Sequence, residues 1–430
     1  MSGIYRSITA QTRAAASIAT PTAPPNRVLQ RTNTLPALLA LIGIILPSEI
    51  QLSIAGANFT AGRISIVLLV VPALAFLAKA GRHAVLSDLV AIAIAIWMIG
   101  AAAYAGGFAS AFSAAAEAVD FVGGYIVARA FFFEPSALGS FIRILRVLTI
   151  IAILAATADS ISGKWIVHNT VASIVNVPPF EGIYRGNLVR AASTFDHPIL
   201  FGTFCSLVMA ILLYSEPRAL RGLLWAGFCF FGCLLSQSSA AALSFFIVAL
   251  TYIYDRSTTK YPARWIFLWT VVAAFFSAVF LISDHPIGWV ISHLTLDPET
   301  GYYRILIWDA AFDQISQFPV TGSGFNLFHD YFLDHTIDCV WLVVGLRYGI
   351  PMIALLVALN FSAILPAGRS SKSQTRDDNT DRMHTAFTLV ILTFMFVGLT
   401  VHFWNYIWIF WGLCIGIRAS LREQSLIASH

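Results

Sequence analysis

Twelve apolar runs separated by short polar segments constrain what this chain can fold into. A membrane helix needs about 20 mostly apolar residues, and its backbone polar groups must be satisfied inside the helix. The sequence therefore predicts an all-α, polytopic integral membrane protein of about twelve spans. The predicted spans lie near 35–54, 63–79, 84–105, 113–133, 141–158, 199–215, 221–236, 239–254, 265–283, 340–365, 385–402 and 404–420.

The composition excludes a large soluble enzyme. Of the 430 residues 58% are hydrophobic and 11% are charged, whereas soluble domains average about 45–50% apolar and about 25% charged residues. No basic, aromatic-interleaved soluble module is present, so nucleic acid is not an expected partner.

The lysines and arginines predict the orientation of the spans. With the amino terminus inside, 19 of the 26 fall on the cytoplasmic side and 6 on the opposite side, and Arg129 lies in a span. Because cytoplasmic loops carry an excess of these residues, both termini are expected in the cytoplasm. The long polar loops 159–198 and 284–339 are then external, which in a Gram-negative cell means periplasmic.

The predicted organisation is one transmembrane domain between two cytoplasmic tails. Residues 1–34 are polar, contain four arginines and no acidic residue, and predict a disordered tail, although a transit peptide has a similar composition. Residues 35–420 form the transmembrane domain, and 421–430 form a second tail. We find no internal repeat of the kind that inverted-repeat transporters show.

The cysteines and histidines do not predict a metal site. Cys229 and Cys233 share a helix face but lack a histidine or carboxylate partner, so they are expected to be apolar packing residues. The histidines lack zinc-ligand spacing, and the aspartates do not fit a calcium loop.

The first external loop ends with charged residues just before the sixth span. Arg185, Arg190 and His197 fall within fourteen positions there. A guanidinium fork suits phosphate oxygens, so at a membrane surface these arginines could bind a lipid pyrophosphate. The alternative is that they anchor the loop to anionic headgroups.

The segment 284–351 is the longest polar interval between apolar runs. Arg304 lies one turn before Trp308 on a predicted amphipathic helix, with Ile305, Trp308, Phe312 and Ile315 on its apolar face. Trp308 is therefore a packing residue or a site residue. The glycines Gly322 and Gly324 predict a turn that allows close backbone approach, without the residues of a nucleotide-binding loop.

Ionisable residues follow that turn. His335 lies among aspartates, including Asp338, and is either a general base or a hydrogen-bonded loop residue. Arg347 falls inside the tenth span, where a charge is costly and usually faces a partner or a cavity. Asp120 and Glu117 are similar cases on the fourth span, and Asp120 either meets an arginine or reaches outward to water.

In this order, the motifs resemble those of the bacterial O-antigen ligase and O-antigen polymerase family of membrane glycosyltransferases, which includes exopolysaccharide polymerases. The resemblance covers roughly residues 35–420. It rests on four segments: Arg190 through Phe195 to His197-Pro198; the Ser236–Ser239 turn; Arg304 and Trp308 followed by Pro319 and Gly322-Ser323-Gly324; and Asp338-Cys339 followed by Gly349. The chain departs from the family in having Ser239 where arginine is usual and Asp338-Cys339 where His-Asn is usual. The replacement of that histidine by Asp338 favours the polymerase branch slightly over the ligase branch.

The resemblance implies a GT-C-like enzyme of the bacterial inner membrane with a periplasmic active site and no cofactor or metal. The donor would be an undecaprenyl-pyrophosphate-linked glycan, and the acceptor a lipid-linked repeat unit or a lipid A–core sugar. Arg190, Arg304 and Arg185 would neutralise the pyrophosphate, and Asp338 or His335 would be the base. His197, Trp308, Gly322, Gly324 and Arg347 would support the site. Membrane lipids and other polysaccharide-assembly proteins are the further expected partners.

Two other functions are compatible with twelve spans. A transporter of lipid-linked oligosaccharide or polysaccharide would place charged residues at mid-depth in several spans. A scaffold subunit of an envelope assembly would tolerate loss of Arg190 and Arg304. The concentration of polar chemistry in two external loops favours the transferase.

Overall fold

The computed structural model describes residues 34–54, 57–283, 298–325, 337–366, 378–404 and 406–427. His335 and all but the last residue of the predicted 1–34 tail lie outside these ranges. Within them the chain is helical apart from two short antiparallel hairpins.

The helices follow most of the apolar runs, but the predicted first span 35–54 is helical only to Ile45 and continues into a strand that begins at Gln51. They are α1 (Leu35–Ile45), α2 (Ala61–Lys79), α3 (Leu86–Ala118), α4 (Gly124–Phe131), α5 (Pro135–Ser162), α6 (Ile166–Val175), α7 (Pro198–Ser215), α8 (Ala219–Ser236), α9 (Ser239–Ser257), α10 (Arg264–Ile282), α11 (Pro298–Gln317), α12 (Val340–Tyr348), α13 (Ile350–Ile364), α14 (Asp378–Val397) and α15 (Tyr406–Ile427). The strands are β1 (Gln51–Ile54), β2 (Ala57–Thr60), β3 (Tyr184–Arg185) and β4 (Leu188–Val189).

Six helical segments of the described residues are long and apolar enough to cross a membrane. The structure is thus that of a helical membrane protein, while twelve spans and the GT-C-like arrangement stay predictions. The six segments are Ala61–Lys79, Leu86–Phe131, Pro135–Ser162, Pro198–Ser215, Ala219–Ser236 and Arg264–Ile282.

Local breaks in the helices change the direction of the chain. The predicted spans 84–105 and 113–133 are continuous except at Gly106 and Gly107, whose φ angles are −141° and +67°. A π-helical turn, Val119–Gly123, then joins α3 to α4. The predicted span 340–365 is divided at Gly349, which has a φ of +78°. Glycine tolerates these positive φ angles because it lacks a Cβ atom.

Helix α7 is the centre of the bundle and α10 lies at its periphery. Sixteen of the eighteen residues of α7 are buried, as expected for a helix that is apolar on every side. Only Val279 of α10 is buried, so this helix presents its side chains to lipid.

Small residues allow α15 to pack closely on α4 and the π-helical turn. A Cβ atom at Gly412 or Gly416 would collide with the backbone oxygens of Phe121 and Tyr125. Such close approach is typical of helix interfaces within membranes.

Asp120, on the π-helical turn, pairs with Arg63 of α2 at 2.5 Å, so it does not reach outward to water.

An ion-pair network joins α3, α4 and α15 at the C-terminal end of α4. Arg129 pairs with Asp88 at 2.8 Å and with Glu423 at 2.7 Å, and Glu423 also pairs with Arg82. The charge of Arg129 within the membrane domain is therefore neutralised by protein partners, as a charge at that depth requires.

Candidate functional site

The arginines of the first long loop are held against the turn between α8 and α9. Arg185 donates to the backbone oxygen of Gln237 at 2.8 Å, and Arg190 donates to that of Ser236 at 3.2 Å. Gln237 donates in return to the oxygen of Val189 at 3.2 Å. The structure thus brings together two motifs of the resemblance, the Arg190 segment and the Ser236–Ser239 turn.

Arg190 is half-buried and pairs with no carboxylate among the described residues. Burial, with the charge of Arg185 nearby, lowers the pKa of Arg190 to about 10. The side chain is still a cation at neutral pH. A cation that has lost water and gained only carbonyl partners binds an anion favourably, because the anion restores lost electrostatic stabilisation.

His197 begins α7 and is held as a neutral imidazole. Its Nδ1 accepts a hydrogen bond from the backbone N–H of Ile199 at 3.1 Å, which caps the helix. Burial and the charge of Arg190 lower the pKa of His197 to about 4. A ring with this pKa is a poor general base at neutral pH, so His197 is better suited to support the arginine segment.

A polar network beneath His197 fixes the end of this loop. Asp196 accepts hydrogen bonds from Ser48 and Tyr406, both at 2.5 Å. His168 lies 2.6 Å from Glu49 and 3.0 Å from the backbone oxygen of Phe195. Helices α6, α7 and α15 are thereby tied to the segment after α1.

Arg304 and Asp338 form the second group of site residues. Arg304 is half-buried on α11, and Asp338 remains accessible to solvent just before α12. Loss of water raises the pKa of Asp338, while the nearby charge of Arg304 opposes that rise. Burial lowers the pKa of Arg304, against the effect of Asp338. Each group therefore lies in the field of the other, as a cation–base pair requires.

The predicted apolar face of α11 is partly wrong. Ile307, Ala311 and Ile315 are its buried residues, whereas Phe312 is 47% exposed. The helix is rotated because its neighbour α12 supplies Leu342, Leu346 and Cys339 to the same cluster. Trp308 packs at the edge of this cluster, with its ring 5.5 Å from that of Phe312.

Gly322 and Gly324 approach backbone, as predicted, and the backbone is that of α12. The N–H groups of Ser323 and Gly324 donate to the oxygens of Leu346 and Arg347 at 2.8 and 3.1 Å. These bonds satisfy carbonyls that the end of a helix otherwise leaves without partners. The turn therefore holds α12, and with it Arg347, in place.

Arg347 has a carboxylate partner that its position in the sequence did not reveal. Its guanidinium pairs with Glu117 of α3 at 2.5 Å and lies 4.8 Å from the centre of the Phe325 ring. The Tyr348 hydroxyl donates to the other Glu117 oxygen at 2.7 Å. Glu117 and Arg347 thus neutralise each other between α3 and α12.

The segment 398–404 borders both groups of site residues and was not predicted as part of the site. Its Trp404 ring lies 5.8 Å from His197, and its His402 ring lies 5.3 Å from Trp404. The backbone oxygens of Gly398 and Val401 accept from the N–H of Val340, two residues after Asp338. A histidine followed by two aromatic residues, Phe403 and Trp404, at one of the weak boundaries between predicted spans was the available signal.

The described residues contain no group of three or more histidines, cysteines or carboxylates arranged to hold a metal ion. All five cysteines are buried and free, as expected for apolar packing residues.

Comparison with protein families gives one match. Residues 223–357 match the family model described as O-antigen ligase. The resemblance to the O-antigen ligase and polymerase family is confirmed. The O-antigen ligase region runs from α8 to α13 and includes Arg304, Trp308, Gly322, Asp338 and Arg347. Arg185, Arg190 and His197 lie before it, and they join it through the contacts with Ser236 and Gln237. No curated protein sequence matches the chain.

The match implies an enzyme of the membrane glycosyltransferase type that handles lipid-linked glycans. The two groups of site residues lie at the same end of the helix bundle, because segment 398–404 contacts both. Arg190 therefore lies near one end of segment 398–404 and Asp338 near the other. Asp338 is within the O-antigen ligase region, and Arg190 is beside it.

Proposed function

We propose that this protein transfers an undecaprenyl-pyrophosphate-linked glycan to a sugar hydroxyl, at the periplasmic face of the bacterial inner membrane. The observation that supports the proposal is the electrostatic interaction of Arg304, a half-buried cation, with Asp338, an accessible carboxylate. Both residues lie inside the region that matches O-antigen ligase. Arg190 and Arg185, on the neighbouring loop, supply further positive charge.

The proposed reaction forms one glycosidic bond and breaks one bond to phosphate. The acceptor hydroxyl oxygen attacks the anomeric carbon, the bond from that carbon to the pyrophosphate oxygen breaks, and the lipid pyrophosphate leaves. Asp338 takes the proton of the hydroxyl, with His335 as the alternative base. Arg304 and Arg190 stabilise the charge that develops on the pyrophosphate, which is where preorganised cations lower a barrier most.

The acceptor is a lipid-linked repeat unit in this proposal, which makes the protein a polymerase of O-antigen or exopolysaccharide. Support comes from the sequence at 338–339, where Asp-Cys replaces the His-Asn that lipopolysaccharide ligases share. Transfer to a lipid A–core sugar is the other form of the same reaction, and it uses the same donor and the same arginines.

The test is the lipid-linked glycan profile of cells that lack this protein, complemented by wild type or by Arg304→Ala. We expect the deletion strain to accumulate single repeat units on the lipid carrier and Arg304→Ala to restore roughly 1% or less of the product, since one removed charge stabiliser costs about 10²–10³ in rate. Arg304→Lys tests whether charge alone is sufficient.

Lys164→Ala is the matched control, because Lys164 is an exposed cation at the same end of the bundle and should complement fully. Accumulation of complete chains on the carrier would indicate a ligase. Accumulation confined to the cytoplasmic leaflet would indicate the transporter, and full activity of Arg304→Ala would indicate the scaffold.

A further inference from the structure

A small cavity lies between α3, α12, α15 and segment 398–404. Its volume of about 20 Å³ is enough for one oxygen atom with its hydrogens. Polar groups line one side, from Glu117, Arg347, Tyr348 and His402. Apolar side chains, including Trp408, line the other.

His402 lines this cavity and carries a buried nitrogen that has no hydrogen-bond partner among the described residues. The residue is 8% exposed, and its Nδ1 has no hydrogen-bond partner. A buried polar atom left without a partner costs free energy comparable to a lost hydrogen bond. A group that enters the cavity and bonds this nitrogen therefore gains that free energy.

The remaining polar groups make the cavity specific for an uncharged oxygen. Arg347 can donate to it, while the charges of Arg347 and Glu117 are already balanced by the 2.5 Å ion pair. A hydroxyl can accept a hydrogen bond from Arg347 and donate its single proton to Nδ1 of His402, while Glu117 keeps its partners Arg347 and Tyr348. The side chains of Arg347 and Glu117 are 28% and 31% exposed, so the cavity is approached from the ion pair.

The cavity is separate from the Arg304–Asp338 pair. Asp338 precedes α12, whereas the residues of that helix that line the cavity begin at Val343 and include Arg347 and Tyr348. A sugar hydroxyl bound in the cavity is therefore not the hydroxyl that reacts beside Asp338. Binding energy from such remote groups can position the reacting group.

We propose that this cavity binds a single hydroxyl oxygen, either of a water molecule or of a sugar in the acceptor glycan, with His402 as the recognising side chain. The sugar source rests on the proposed function. The water source does not, because it requires only the geometry of the cavity.

The experiment compares three variants of the full chain in lipid nanodiscs. His402→Asn keeps a polar group near the Nδ1 position, His402→Gln moves the polar group towards Nε2, and His402→Phe removes it. For each we would measure KM for acceptor and donor, using a lipid-linked repeat unit as acceptor, and record a cryo-electron microscopy map at a resolution that shows ordered water.

If a sugar hydroxyl binds, His402→Phe and His402→Gln raise the acceptor KM about tenfold, as loss of one hydrogen bond does, while the donor KM is unchanged and His402→Asn restores both. If water binds, every KM is unchanged and the wild-type map shows an oxygen that His402→Phe lacks. Unchanged KM values with an empty cavity would overturn the proposal.

Arg304→Ala in the same assay separates the two claims. Loss of transfer in Arg304→Ala supports the proposed function whatever the His402 variants do. If the wild-type chain transfers no glycan at all, the proposed function fails, and the map alone then decides whether the cavity holds water.

Discussion

In the proposed reaction, Arg304 stabilises the leaving pyrophosphate and Asp338 takes the proton of the acceptor hydroxyl. The loss of water that raises the pKa of Asp338 makes its carboxylate a stronger base, and Arg304 keeps that carboxylate ionised. A base with a pKa raised towards the working pH is more effective than a fully solvated aspartate. Arg190 can also bind an anion, because its guanidinium donates only to the backbone oxygen of Ser236 among the described residues.

The first prediction concerns the pH dependence of transfer. Asp338 must be deprotonated to act, and its pKa is raised, so transfer should be lost as pH falls through a value above the ordinary aspartate pKa of about 3.9. Asp338→Asn should lower the rate about 10²–10⁴-fold and remove this acid limb. Steady-state transfer rates from pH 4 to pH 8 would measure both effects.

Asp309→Asn is the control for this prediction, because Asp309 is exposed on the same helix as Arg304. It should leave the rate and the acid limb unchanged. If Asp338→Asn retains the acid limb, the base is another group, with His335 the first to test.

At the scale of elements, the short helix α12 connects most of the site. Asp338 precedes α12, and the first residue of α12 is hydrogen-bonded to segment 398–404. The turn at 322–324 donates hydrogen bonds to carbonyls at the other end of the helix. Arg347 near its end pairs with Glu117 of α3. Because both ends are fixed, α12 sets the separation between the reacting carboxylate and the cavity beside His402.

The second prediction tests this capping turn. A Cβ atom at Gly322 would lie 2.5 Å from the carbonyl carbon of Arg347, and the residue has a φ of +66°. Gly322→Ala should therefore lower the free energy of unfolding by about 1–3 kcal/mol and reduce transfer through displacement of α12. Thermal unfolding of the purified chain, together with the transfer rate, measures this.

Gly139→Ala is the matched control. Gly139 lies within α5, its added Cβ atom would meet nothing within 4 Å, and alanine favours the helix by about 0.5–1 kcal/mol. Equal unfolding temperatures for Gly322→Ala and Gly139→Ala would show that the turn does not hold α12.

At the scale of the whole molecule, the two ends of the bundle have different roles. One end gathers the arginines, Asp338 and segment 398–404 around the start of α12. The other end closes with the Arg129–Asp88–Glu423 network, in which the charges are paired within the protein.

The third prediction tests which end faces the periplasm. All five native cysteines are buried, so a membrane-impermeant maleimide should label the native chain weakly. Ser173 is exposed on α6, and Ser257 is exposed at the end of α9. In spheroplasts Ser173→Cys should be labelled, whereas Ser257→Cys should be labelled only after lysis. The opposite pattern would reverse the orientation and place the site in the cytoplasm.

The sequence by itself determined where the helices lie and which residues could do chemistry. Apolar runs of membrane length must be helical because lipid offers no partners to the backbone, so α7, α8 and α10 begin and end within two residues of their predicted bounds. Gly106 and Gly107 fall in the predicted gap between spans 84–105 and 113–133, whereas the break at Gly349 was not predicted. The order of the four segments, from Arg190 to Gly349, indicated the family although Asp338-Cys339 departs from its usual His-Asn.

Only the tertiary structure decided which residues meet. Arg347 pairs with Glu117, 230 positions earlier, and Arg63 pairs with Asp120, because helix packing and not local spacing brings these charges together. The buried face of α11 depends on α12, and the role of His402 depends on a cavity that four elements enclose. Local patterns specify elements, whereas a site is made by contacts between residues far apart in the chain.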